Sequence, residues 1–293
     1  MGYLFLIIAL LSGAAKGFCG KKISGEVVSL KGVFFINFIR MAICVAIGFF
    51  IVFFDGINKI IVNTEILLIT AVSGISTAMF VFTWILCVRR GAYVMVDVSI
   101  MLGAIVPIVL CNLFFGESIT IYRCVGFLLL LLGSYIMCSY SSNIKGSFSL
   151  ASFAILLVCG MCNGITDFSQ KWFIHIVETG SVAVFNFYTY IFSAVSLLIL
   201  FAITDKIEKT ENDGKSTRVF LVICIMAACL FANSYFKTMA AKYIDSSILY
   251  PLSNGASLII AATMASLFFG ERITKRCLAG IGVTLSAMIV MNL

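Results

Sequence analysis

The sequence predicts an all-α integral membrane protein: ten transmembrane helices laid out as two inverted five-helix repeats around a central cavity. Three observations lead there. Of 293 residues, 62% are apolar and 11% are charged, and the mean hydropathy is +1.14. A soluble globular domain carries about 25% charged residues, so this chain has too few charges to cover a water-facing surface. The apolar residues fall into ten continuous runs, each near the roughly 20 residues a helix needs to cross hydrocarbon. An eight-residue segment recurs at matching places in the two halves.

The runs lie near 2 to 20, 33 to 54, 66 to 88, 92 to 115, 121 to 140, 149 to 174, 181 to 203, 218 to 240, 246 to 269 and 275 to 292. Being unbroken, they read as helices and not as the short alternating strands of an outer-membrane barrel. Polar residues in hydrocarbon are costly unless they face the bundle interior, so their spacing marks the inward face of each run. The first run has no basic stretch before it and no small-residue cleavage pattern after it, and is read as a retained helix. The second places Asn37, Arg40 and Cys44 on one face, and the third Ser73, Thr77, Phe80 and Trp84. The fourth ends in LFFGESIT. The fifth has almost no polar stripe, which fits a peripheral position.

In the second half, the sixth run carries Asn163, Asp167 and Lys171 at i, i+4 and i+8. The seventh repeats the pattern of the second with Asn186, Thr189, Ser193 and Ser196. The charge-rich stretch from Asp205 to Arg218, with four basic and four acidic residues, reads as a solvated loop. No connection is long enough to fold as a soluble domain. The eighth run holds Lys237, and the ninth sets Ser247, Tyr250, Asn254 and Ser257 at spacings of three and four. The tenth again lacks a stripe.

The repeat is specific. LFFGESIT at 113–120 returns as LFFGERIT at 267–274, with seven of eight residues identical. Both copies close one apolar run and precede another, with Gly126 and Gly280 in step. VFFINF at 33–38 corresponds to VAVFNF at 182–187, setting Asn37 against Asn186 and Arg40 against Thr189. Gly13 and Gly17 correspond to Gly160 and Gly164, and Lys16 to Asn163. The halves are residues 1–142 and 146–293. Five spans is an odd number, so the second half enters the membrane from the opposite side. Inverted repeats recur in secondary transporters, because exchanging the conformations of two similar halves turns an outward-open site into an inward-open one.

Six charged residues lie three or more positions inside the ends of the runs: Lys16, Arg40 and Asp97 in the first half, Asp167, Lys171 and Lys237 in the second. Inverted threading puts the first trio towards the side where helix one ends and the second towards the side of the N-terminus. Candidates to line a substrate cavity are Arg40, Asp97, Asp167, Lys171 and Lys237 among the charged residues. The uncharged candidates are Trp84, Asn163, Asn186, Tyr250, Asn254 and Ser257. Four cations against two acids favour a solute with a carboxylate or phosphate. Arg40 and Asp97, on the same side, suit a gate or an ion-coupling pair. Asp97 and Asp167 are the candidates for a coupling proton, because a desolvated carboxylate holds its proton to higher pH than one in water.

Structural roles compete with these. Asp167 and Lys171 can neutralise each other at i, i+4. Lys16, Lys171 and Lys237 are near enough to helix ends to snorkel towards headgroups. Ser and Thr stripes also serve helix packing, and the GxxxG pairs of helices one and six allow close backbone approach, within the bundle or at a homodimer. Glu117 and Glu271 sit at loop starts and are expected to fix the turn into the following helix.

The eleven cysteines lie almost entirely inside apolar runs, where they behave as small hydrophobes with free thiols. Cys159 and Cys162 form a C-x-x-C, but mid-helix and without a second pair or nearby histidine, which argues against zinc or redox chemistry. The chain contains no phosphate loop, dinucleotide fingerprint or zinc-protease motif. No cofactor, metal, catalytic constellation or nucleotide-driven pump is therefore expected. The expected partners are a small-molecule solute and membrane lipid, with no nucleic acid.

The two LFFGE-x-IT signatures, the AAKYIDSSILYPL stretch from Ala240 to Leu252 and the five-plus-five layout resemble the EamA family of the drug/metabolite transporter superfamily, over essentially the whole chain. The resemblance implies that helices one to four and six to nine surround the cavity while five and ten lie outside it. It also implies solute transport or export, and leaves the solute open. The resulting reading is a secondary transporter of the cell membrane that moves a small metabolite, amino-acid-like solute or drug by alternating access, as an exporter. A flippase for a lipid-linked head group is the second transport reading. A non-transporting subunit or membrane enzyme is the third. Loop lysines and arginines number thirteen on the side where helix one ends and three on the other. Positive-inside reasoning therefore places both termini outside, whereas the resemblance implies both inside.

Overall fold

The computed structural model describes residues 1–23, 30–55, 63–89, 99–138, 150–177, 180–207, 217–269 and 275–291. Among them the regular structure is entirely α-helical. The helices of the first half are α1 Gly2–Ile23, α2 Leu30–Asp55, α3 Thr64–Arg89, α4 Ile105–Phe115 and α5 Ile121–Cys138. Those of the second are α6 Leu150–Ile176, α7 Val182–Ile207, α8 Thr217–Ala240, α9 Ser246–Phe269 and α10 Lys275–Met291. Six of these (α1, α2, α3, α7, α8 and α9) contain a stretch long and apolar enough to cross a membrane. Apolar helical stretches at Ser99–Phe115, Ile121–Gly133 and Leu278–Met291 are shorter.

The fourth run departs most from expectation. Residues 92–98 lie outside the described residues, and the helix that follows is interrupted at Ala104, between a short helical stretch at 99–103 and α4. Pro107 supplies the cause. It has no N–H to offer the Gly103 carbonyl, and its ring crowds that oxygen. At the break the Ala104 N–H instead donates to the Met101 carbonyl at 3.1 Å.

Outward faces are apolar, as lipid contact requires. On α1, Leu4, Ile7 and Leu11 are exposed at helical spacing, while Leu6 and Ala9 are buried. On α2, Phe49, Phe50, Phe53 and Phe54 are exposed. The interior holds clusters such as Met41, Cys44, Tyr190, Leu197 and Phe231, which tie α2, α7 and α8 together.

The most extensive pairings are α5 with α10, α1 with α8, α2 with α7, α3 with α6, α3 with α7, α2 with α8, α4 with α6 and α1 with α9. Exchanging each helix for the one five places away in the chain leaves this set unchanged. The α4 segment and α6 cross at near-backbone contact. A β-carbon at Gly160 would lie 2.1 Å from the Ser99 carbonyl oxygen, and one at Gly164 2.2 Å from that of Gly103. The Ser99 hydroxyl donates across the crossing to the Leu156 carbonyl. The glycine pair of α6 is thus used inside the bundle.

Candidate functional site

Where α1, α3, α6, α8 and α9 converge they enclose a cavity of about 130 Å3. Each helix contributes through the face its polar spacing marks. Lys16 enters from α1, Phe80 and Trp84 from α3, and Asn163 from α6. Asn233 and Lys237, one turn apart, enter from α8. The α9 stripe supplies Ser253, Asn254 and Ser257. Two amides also hold the walls together: Asn233 donates to the Ala9 carbonyl at 2.7 Å, and Asn254 to the Ile100 carbonyl at 3.2 Å.

Lys237 marks the cavity's ionic end. Its ammonium lies 2.7 Å from Asp167 Oδ1, and both residues are buried. Asn163 donates to the other carboxylate oxygen at 3.3 Å. Tyr250, fully buried, donates to the main-chain carbonyl of Asp167 at 2.6 Å, and its ring lies 5.1 Å from the lysine nitrogen, within the range of a cation–π contact. Asp167 therefore stands behind the cavity-lining Lys237, held on three sides. In such surroundings each charge depends on the other, since removing one partner of a buried pair leaves an uncompensated ion.

Asp167 does not pair with Lys171 one turn on. Lys171 Nζ is instead 3.0 Å from Glu117 Oε1 and donates to the Ala241 and Ile244 carbonyls at 3.0 and 2.9 Å. It belongs to a seal at the end of the bundle where α4 finishes and α9 begins. Gly116 ends α4 in the left-handed region, φ 66°, with its N–H returned to the last turn, a conformation glycine adopts without penalty. Glu117 is thereby turned towards α9. Its carboxylate accepts from the Ser246 N–H at 2.8 Å and from the Ser246 hydroxyl, the favourable place for an anion at a helix N-terminus. Arg123 adds an ion pair to Asp245 at 2.9 Å and a hydrogen bond to Ser247 at 2.8 Å. The expectation that Glu117 fixes the turn into the next helix is thus corrected: its charge is spent on a helix in the other half of the chain. Glu271 lies outside the described residues.

Two further candidates lie away from the lining. Arg40 is buried on α2, with Nη1 3.6 Å from the Met226 sulfur of α8. Asn186 is buried on α7, donating to the Val182 carbonyl at 2.9 Å and accepting from Ser234 at 2.6 Å. Asp97, the expected partner of Arg40, lies outside the described residues. Trp84, Asn163, Lys237, Asn254 and Ser257 come together at the cavity, with Asp167 and Tyr250 immediately behind. Asn233 and Ser253 also line it, outside the set of polar residues expected from sequence. Asn233, an amide within the apolar run of α8, was the available signal. Among the described residues no cluster of His, Cys, Asp or Glu could hold a metal ion, and the nine described cysteines are free thiols.

An apolar-skinned helical bundle with a polar, ion-paired interior defines a membrane protein with transmembrane helices. Over residues 150–293 the chain matches the model of the EamA-like transporter family. A solved structure titled only "Crystal structure of protein" shares the fold at 12% identity and a TM-score of 0.77, covering 99% of this chain and 95% of that one. No curated protein matches the chain.

Proposed function

We propose that the protein is a secondary transporter in which two five-helix halves, 1–142 and 146–293, rock about the cavity to move a small metabolite, amino-acid-like solute or drug out of the cell. The observation that carries this reading is the cavity itself: a polar chamber walled by α1 and α3 of one half and α6, α8 and α9 of the other. The set of helix pairings that survives exchange of the halves supports it, because two similar units packed this way can trade conformations.

Asp167 and Lys237 supply the coupling. A proton arriving at Asp167 removes the charge that holds Lys237, and the freed ammonium is then available to an acidic group of the solute. Proton loss restores the pair and releases the solute. The distribution of loop charge supports termini on the outer face, which accessibility of a C-terminal tag in intact cells would test. For transport itself, purified protein in liposomes is assayed for uptake of labelled amino acids and small carboxylates under an imposed pH gradient. Wild type should accumulate at least one probe above protein-free vesicles, and Asp167→Asn should lose the response to pH while remaining folded. No accumulation of any probe, or a pH response unchanged in Asp167→Asn, contradicts the reading or the coupling respectively.

A further inference from the structure

Beside the cavity sits a cation that the site described above does not use. Arg40 is 3% exposed, and a guanidinium stays protonated in proteins. Its Nη1 lies against a thioether, the Met226 sulfur at 3.6 Å, which is a weak acceptor. Its Nε has no partner, and among the described residues no carboxylate reaches it. Buried polar groups are nearly always satisfied, and a buried charge without a counter-ion is costlier still. A buried guanidinium whose Nε is unpartnered and whose Nη1 meets a thioether is suited to receive an anion.

The route to it is short. A β-carbon at Gly20 would lie 2.8 Å from the rim of the Trp84 indole and 3.3 Å from the Met226 methyl, so the two side chains meet there. Trp84 lines the cavity and Met226 touches Arg40. One flexible side chain therefore separates the guanidinium from the cavity wall, and methionine is the residue most easily displaced by repacking.

We propose that Arg40 is a carboxylate-binding station next to the cavity, which receives the acidic group of the solute as it passes between the cavity and the side where α1 ends. Identifying that carboxylate with the transported solute rests on the transporter reading. The geometry of a guanidinium suits it, because two parallel N–H donors match two carboxylate oxygens. Met226 would yield its place, and the guanidinium would exchange a thioether for a carboxylate.

The test is thermal unfolding of the purified protein in potassium acetate against potassium gluconate, whose chain is too bulky for so enclosed a position, with neutral acetamide as a second control. Wild type should melt higher as acetate rises, by mass action on the folded state, and acetamide should have no effect. Arg40→Gln should lose the acetate response and melt no lower than wild type in gluconate, since it deletes a buried charge that meets no carboxylate among the described residues. Met226→Glu should fold, place a carboxylate where the sulfur lies, and also lose the response. Absence of an acetate effect in wild type overturns the proposal. So does a response retained in Arg40→Gln, which would assign the anion to Lys16 or Lys237. Failure of Arg40→Gln to fold, with the response intact in Met226→Glu, makes Arg40 structural and overturns it too. Vesicle flux separates the two claims. Acidic-solute flux unchanged in Arg40→Gln removes the station and leaves the transporter. Acetate binding with no flux of any probe removes the transporter and leaves an anion site.

Discussion

Two side chains seventy residues apart in the chain share one buried ion pair. Asp167 and Lys237 are buried together at 2.7 Å, in surroundings where neither charge is stable alone. Removing one partner of such a pair costs about 3–5 kcal/mol, whereas replacing both by apolar or neutral groups is often close to neutral. Lys237→Met should therefore lower the melting temperature sharply, Asp167→Asn should do so less because the amide still accepts a hydrogen bond, and the double substitution should recover most of the loss. A double-mutant cycle by thermal unfolding reads the coupling directly; additive single effects would show that the pair is not one unit. The sequence could nominate both residues, as charges inside apolar runs, but could not pair them. Helical spacing offered Lys171 to Asp167 at i+4, and what decides otherwise is that α6 and α8 present Asp167 and Lys237 to each other while Glu117, from α4, claims Lys171.

At the scale of helices, apolar length made the elements legible almost to the residue: the run expected at 246 to 269 is helix Ser246–Phe269, and that at 121 to 140 is Ile121–Cys138. The fourth run was harder. Pro107 lies inside it, and hydropathy carries no record of the carbonyl that proline leaves unmatched. The glycines separate by what surrounds them. Gly160→Ala should destabilise strongly, because its β-carbon would press on the Ser99 carbonyl, which cannot retreat without parting α4 from α6. Gly282 on α10 has nothing within 4 Å of a β-carbon, so Gly282→Ala should be neutral or gain up to about 1 kcal/mol from helix propensity. Yields and melting temperatures of the two variants check this, and equal effects would contradict the close crossing. The role of Glu117 was half legible: repetition of LFFGE flagged it, but its target on α9 follows from where α4 ends, which local sequence does not encode.

For the whole molecule, the repeat and the helix pairings tell one story. Each half buries its polar stripes against the other, and the cavity lies where those faces meet. The seal of Glu117, Lys171, Ser246 and Arg123 closes one end of the bundle, so the alternating access proposed above requires it to part once per cycle. The most direct measurement is therefore a reversible lock on that seal. Cysteines placed at Glu117 and Ser246 are bridged by a short, reducible bifunctional thiol reagent, and flux is followed in proteoliposomes with reagent-treated wild type as control. The account expects flux to stop on bridging and return on reduction, with wild type unaffected. A bridged protein that carries solute at the unbridged rate would mean that this end never opens, and that the two halves do not trade places around the cavity.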